Sequence, residues 1–245
     1  MIRIKIDLSF KGTNYHGWQI QENANTVQEE LNRALSLLLR ENIETTGCGR
    51  TDSGVHARQY IVHFDCKKGQ VDFQNIRFKL NALLSKDIAI NAIQETYPGF
   101  HARFDAVKRT YKYFIHNHKN PFFNELSTFV PHDLDLTAMN HAANLLLGTK
   151  DFTSFCKLHS DVTNNRCTVY EARWETIDNQ YVFTISANRF LRNMVRAIVG
   201  TMLDLGRNKI NGCKSFQEII DAQERCTAGV SAPACGLFLW EVKYV

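Results

Sequence analysis

Apolar and polar residues alternate from the first positions of the chain. Ile2, Ile4, Ile6, Leu8 and Phe10 are interleaved with Arg3, Lys5, Asp7 and Ser9. A period of two predicts a strand with one buried face. Lys11-Gly12-Thr13-Asn14 predicts a turn, and Tyr15-His16-Gly17-Trp18-Gln19 sets two aromatics in the loop after it. Thr26-Val27-Gln28-Glu29 has the form of a capping box. It opens a helix with Val27, Leu31, Ala34, Leu35, Leu38 and Leu39 on one face. Strands over Ile43 to Thr46 and Gln59 to Asp65 bracket a glycine-rich loop. Asp72 then caps a second helix, with Phe73, Ile76, Leu80 and Leu83 inward, before a strand from Ile88 to Gln94. This β-α-β-β-α-β order is that of a ferredoxin-like unit.

The pattern restarts after Tyr97-Pro98-Gly99. Arg109 to His116 reads as a strand, and a long excursion through Pro121 and Pro131 leads to a helix from about Thr137 to Leu147. Strands from Cys167 to Thr176 and Tyr181 to Ala187 flank an Asp178-Asn179 turn. A helix from Phe190 to Leu205, a polar helix near Ser215 to Arg225 and a strand from Leu237 to Tyr244 complete the chain. The expected fold class is α+β: two ferredoxin-like (βαββαβ) units joined through a continuous antiparallel sheet, with a basic central cleft. The expected domains are residues 1–105 and 106–245, with the boundary near Thr96 to Lys108.

Bulk composition narrows the function classes. The 245 residues are 44% hydrophobic and 22% charged, with a net charge of +4, which permits a polyanionic partner without demanding one. The seven cysteines are scattered, with no Cys-x-x-Cys pair, which argues against a disulfide framework and a zinc site. The N-terminus opens straight into the alternating strand, and no segment is apolar for long enough to cross a membrane. A reducing cytoplasm is the expected compartment.

Three stretches carry candidate chemistry. Gly47-Cys48-Gly49-Arg50-Thr51-Asp52-Ser53-Gly54-Val55-His56-Ala57 holds one carboxylate, Asp52, between Arg50 and Arg58. Glycines at 47, 49 and 54 permit positive φ and close approach of another chain segment. A carboxylate beside guanidinium groups can serve as a nucleophile or base that stays ionised, although Thr-Asp-Ser-Gly is also ordinary turn chemistry. In the helix from Phe190, the residues Phe190, Leu191, Met194, Val195, Ile198 and Met202 share one face at about 100° per residue. Arg189, Arg192, Arg196 and Gly200 fall opposite, with no acidic residue until Asp204. Such a face is either solvated or suited to bidentate contact with carboxylate or phosphate. In Arg109-Thr110-Tyr111-Lys112-Tyr113-Phe114 a tyrosine is either core or a stacking surface for a nucleobase.

Together these stretches resemble the TruA family of tRNA pseudouridine synthases, over nearly the whole chain. Gly49 to Ala57 is similar to the family's catalytic loop, with Asp52 at the position of its obligatory aspartate. Arg109-Thr110-Tyr111-Lys112-Tyr113 resembles the second motif, whose first tyrosine, here Tyr111, packs on the target base. Phe190-Leu191-Arg192-Asn193-Met194-Val195-Arg196 resembles the third, whose final arginine, here Arg196, pairs with the catalytic carboxylate. Tyr15 to Gln19, Thr26-Val27-Gln28, Gly148 with Asp151 to Phe155, and Ala232 to Leu237 also fit, in the right order. Phe10-Lys11-Gly12, Cys48, Ser53 and Thr149-Lys150 depart from the usual pattern, outside the three central motifs' functional positions.

The resemblance implies isomerisation of uridine to pseudouridine in the tRNA anticodon stem-loop, without cofactor or metal. It implies a homodimer and no membrane. The implied catalytic residues are Asp52, Tyr111 and Arg196. The implied RNA-binding residues are Arg50, His56, Arg58, Arg103, Arg109, Arg189 and Arg192, with Leu237 on the apolar wall of the pocket; Lys108 is a further basic candidate. Two rival readings are a non-catalytic RNA-binding protein, which leaves the glycine-framed Asp52 unexplained, and a glycoside-cleaving enzyme. The latter needs a second carboxylate as acid, and Asp65, Asp105 and Asp151 are poor candidates.

Overall fold

The computed structural model describes residues 1–67, 72–157, 164–207, 209 and 212–245, with only the backbone at 212–214. In chain order the elements are β1 (Ile2–Phe10), α1 (Val27–Leu39), β2 (Thr46–Gly47), β3 (His56–Cys66), α2 (Phe73–Leu83) and β4 (Ile88–Thr96). They continue with β5 (Ala106–His116), β6 (Thr128–Phe129), α3 (Leu136–Asn144), β7 (Gly148–Asp151), β8 (Arg166–Ile177) and β9 (Gln180–Ala187). The last are α4 (Met194–Gly206), α5 (Gly212–Ala222) and β10 (Leu237–Tyr244). The chain is α+β and folds as two compact units, one of Met1–Val107 with Leu239–Val245, the other of Lys108–Phe238.

In the first unit the strands run in the order β4-β1-β3-β10. β1 is antiparallel to both β3 and β4, so Ile6 faces Val62 on one side and Ile93 on the other. Its apolar positions Ile4, Ile6 and Leu8 are fully buried, as the period of two requires. Thr26 caps α1 by accepting from the Glu29 amide, and Asp72 caps α2 by accepting from the Asn75 amide. In α2 the inward residues are Ile76 and Leu80; Leu83 is exposed and Leu84, one position on, is buried instead. The expected strand over Ile43 to Thr46 shrinks to β2. Its first residues bond to α1, with the Ile43 amide donating to Ser36 Oγ at 2.9 Å and the Thr45 amide to Asn32 Oδ1 at 3.1 Å. Side chains on a helix thereby replace a neighbouring strand as partner.

In the second unit the order is β5-β9-β8-β7, antiparallel throughout, with β6 parallel to β5. Asp178 and Asn179, at φ +48° and +59°, make the tight turn between β8 and β9. The helix expected from Phe190 begins only at Met194, because Asn193 sits at φ +66° and breaks the helical path. Residues 189–192 therefore lie ahead of it. Nor does α4 keep a solvated face: all of its residues except Arg196 and Asp204 are buried. Gly200 lies directly against the Val230 carbonyl, where a side chain would collide. The polar helix near Ser215 to Arg225 is displaced N-terminally to α5. Among the described residues no helix is long and apolar enough to cross a membrane.

Candidate active site

Each unit presents one arrangement built from the candidate residues. In the first, the loop between β2 and β3 carries Asp52, half-buried, with Arg50 before it exposed. Its turn closes through the Val55 amide donating to the Asp52 carbonyl at 3.2 Å, with Gly54 at φ +77°. The loop rests on the segment after β1. The Gly54 amide and the Ser53 hydroxyl donate to the Tyr15 carbonyl at 3.2 and 3.3 Å. Gly12 lies against the Val55 carbonyl, and Gly17 (φ +92°) against the Thr51 carbonyl, too closely for any side chain.

Beneath the loop, Trp18 and Tyr60 stack at 4.2 Å between ring centroids, Phe10 packs beside them, and the Tyr60 hydroxyl donates to the Gly49 carbonyl. Tyr15 is anchored in turn, its hydroxyl 2.6 Å from both Glu30 of α1 and Ser85. Burial and the Glu30 carboxylate push that phenol up to about 12, so it remains a donor throughout the physiological range. The Asp52 loop is thus held by rigid aromatic and backbone contacts, which suits a group that must be preorganised.

In the second unit, Tyr111 and Tyr113 lie on one face of β5, and the structure separates their roles. Tyr113 is fully buried, its hydroxyl 2.6 Å from Thr128 Oγ1 and donating to the Pro233 carbonyl at 2.8 Å; burial raises its pKa. Tyr111, nearer the start of the strand, is half-exposed and meets the Phe190 ring edge-on at 5.0 Å. Arg196, in the first turn of α4, donates through Nε to the Ala232 carbonyl at 2.7 Å, while the Ala232 amide returns a bond to the Arg196 carbonyl at 2.9 Å. The segment through Ala232 and Pro233 therefore connects α4 to β5. It leads into Leu237, which is buried.

The family model described as tRNA pseudouridine synthase matches residues 8–105 and 142–245. The chain belongs to the tRNA pseudouridine synthase family. Its members are RNA-modifying isomerases. The chain is 48% identical over 244 residues to tRNA pseudouridine synthase A of Parabacteroides distasonis, covering 100% of this chain and 96% of that relative. It is 49% identical over 247 residues to the protein of the same name from Bacteroides thetaiotaomicron (100% and 91% covered). The Bacillus subtilis protein of that name is 39% identical over 247 residues (99% of each).

Within this family assignment the remaining predicted site residues fall as follows. Arg58 is exposed on β3, and Arg103 is exposed in the loop between β4 and β5. Arg189 is half-exposed and Arg192 exposed, both in the segment before α4. Arg109 Nη1 donates to the Asn188 carbonyl at 3.1 Å, tying the start of β5 to the end of β9. His56 is fully buried, and its Nδ1 accepts from the Gly12 amide at 3.0 Å beneath the loop. Tyr15 and Trp18, loop aromatics by sequence, are also supports of this loop. Gly12 and Gly17, which flank Tyr15 with Gly17 next to Trp18, were the available signal.

His63 on β3 adds a pH dependence. Burial, followed by the charges of Arg3 and His101, pulls its pKa down to about 4, against weaker opposing pulls from Asp65 and Asp105. Its Nδ1 accepts from the Ala102 amide at 3.1 Å, a bond that protonation of this nitrogen removes. The unfolded chain binds a proton at His63 near pH 6.5 and the folded chain only near 4. Stability therefore falls as pH drops through that window. The thermal midpoint is expected to drop by several degrees between pH 6.5 and 4. His63→Gln should flatten that slope, and an unchanged slope in the variant would assign the effect to other groups.

Proposed function

We propose that the chain isomerises uridine to pseudouridine in the anticodon arm of tRNA, at about positions 38 to 40, recognising shape more than base sequence. The carrying observation is the Asp52 loop: one half-buried carboxylate on a turn fixed by Tyr15, Gly12 and Gly17, within a family defined by this reaction.

In the reaction the N1–C1′ bond breaks, the uracil turns over, and C5 bonds to C1′. C5 gives up its proton and N1 gains one, so neither oxidant nor energy source is consumed. One ionised carboxylate serves each chemical route to this outcome: attack of Asp52 at C1′, attack at C6, or removal of the C2′ proton. Arg196, by the family resemblance, partners that carboxylate and favours its charged form. Tyr111 stacks on the target base, which must leave its helix or loop stack to be reached. It can also accept the C5 proton. Arg50, Arg58, Arg103, Arg189 and Arg192 supply salt-dependent phosphate contacts in a basic cleft, and Leu237 lines the apolar wall. The remainder of the reading is two ferredoxin-like units sharing a sheet, a homodimer spanned by one tRNA, and action in the cytoplasm.

Tritium release from a tRNA transcript labelled at C5 of uridine tests the proposal. Release with pseudouridine as product and no free uracil is expected. Free uracil would instead establish a glycoside-cleaving enzyme, and tRNA binding without release would leave a binding protein.

A further inference from the structure

The loop between β4 and β5 is held by more bonds than a connection of its length needs. Arg3 donates to the Phe100 carbonyl at 2.9 Å while its other nitrogens pair with Asp65. Asp105 Oδ2 accepts from the Tyr97 hydroxyl and the His101 amide, each at 2.8 Å. His101 Nδ1 accepts from the amides of Arg103 and Phe104 at 3.2 Å, and Tyr244 donates to the Ala102 carbonyl at 2.6 Å. Yet the residue that this framework holds in place, Phe104, is 73% exposed. A loop pinned from both sides presents that ring already ordered, which lowers the cost of engaging it.

The rings beneath it form a column. Phe104 lies on His101 at 4.2 Å between centroids with 31° between planes, and His101 lies 4.8 Å from the buried His63. His63 is neutral at pH 7, with Nδ1 accepting from Ala102. Phe104 is therefore backed by His101, itself tilted 58° against His63, while its own ring faces solvent. Arg103 sets its guanidinium over the Phe104 ring, 5.6 Å from its centre.

We propose that Phe104, with Arg103 beside it, is a stacking site for an unpaired nucleobase of the RNA substrate. It is a contact additional to the one assigned to Tyr111 with the target uridine. The occupant follows from the chemistry. A flat aromatic face paired with a guanidinium plane suits a base and its neighbouring phosphate, and single-stranded RNA is read in this way. The site rests on RNA as the ligand, not on any step of the isomerisation.

Equilibrium binding of an unmodified tRNA transcript to the full-length protein tests it. Phe104→Ala is expected to weaken affinity by about tenfold, within the range for losing one base–aromatic stack. Phe104→Trp should retain it, and Phe104→Leu, apolar but not flat, should fail as alanine does. Arg103→Ala should reduce the salt slope of binding by about one, whereas Phe104→Ala leaves that slope unchanged. Wild-type affinity in Phe104→Ala or Phe104→Leu overturns the proposal. So does a change in oligomeric state with unchanged RNA affinity, which would mark a protein contact. These measurements need no turnover, so failure of the stacking site and failure of the proposed reaction are read separately.

Discussion

Asp52→Asn is expected to lower turnover on tRNA by on the order of 10³-fold or more, the scale of losing a group that reacts directly with substrate. Tritium release and pseudouridine formation should both disappear, while tRNA affinity stays within about threefold because phosphate contacts dominate binding. The fold should be indifferent to the change. The loop is closed by the backbone of Asp52, whose carbonyl accepts from the Val55 amide, and is anchored through Tyr15, Gly12 and Gly17. Asparagine keeps the size of the side chain and removes the charge, so a thermal midpoint near that of the wild type is expected. Turnover by Asp52→Asn within tenfold of the wild type would remove the carboxylate from the mechanism.

Gly200→Ala is expected to cost about 3 kcal/mol of stability, near the upper range for overpacking, and to lower the thermal midpoint by roughly 6–12 °C. The added methyl would meet the Val230 carbonyl oxygen directly, with the Val230 carbonyl carbon at 2.9 Å and the Ala232 amide nitrogen at 3.1 Å. This segment cannot retreat cheaply. Ala232 exchanges two hydrogen bonds with Arg196, and Pro233 accepts from Tyr113. Displacing it disturbs the supports of Arg196 and Tyr113 together, so activity should fall beyond the loss of folded protein. An unchanged midpoint would mean that the segment yields without cost. A helix–segment contact so dependent on glycine has no counterpart in the periodic pattern, which placed Gly200 on a polar face.

Through three motif stretches the family was legible in the sequence, and so were β1, the caps of α1 and α2 and the Asp178-Asn179 turn. Each of these is a local property: alternation dictates a strand face, a Thr or Asp side chain reaches an amide three residues on, and adjacent Asp and Asn tolerate positive φ. The tertiary structure alone decided matters that depend on distant partners. The strand predicted over Ile43 to Thr46 shortened because Ser36 and Asn32 offered it helix side chains instead. Tyr113 became core, held by Thr128 and Pro233, and Tyr111 a half-exposed ring, although they share a strand face. His56 turned inward to accept from Gly12, and α4 lost its expected polar face to the chain passing Gly200. Periodicity records which residues avoid water, whereas the partner that satisfies a buried polar group, or the backbone that presses on a glycine, comes from elsewhere in the chain and is fixed only when the chain folds.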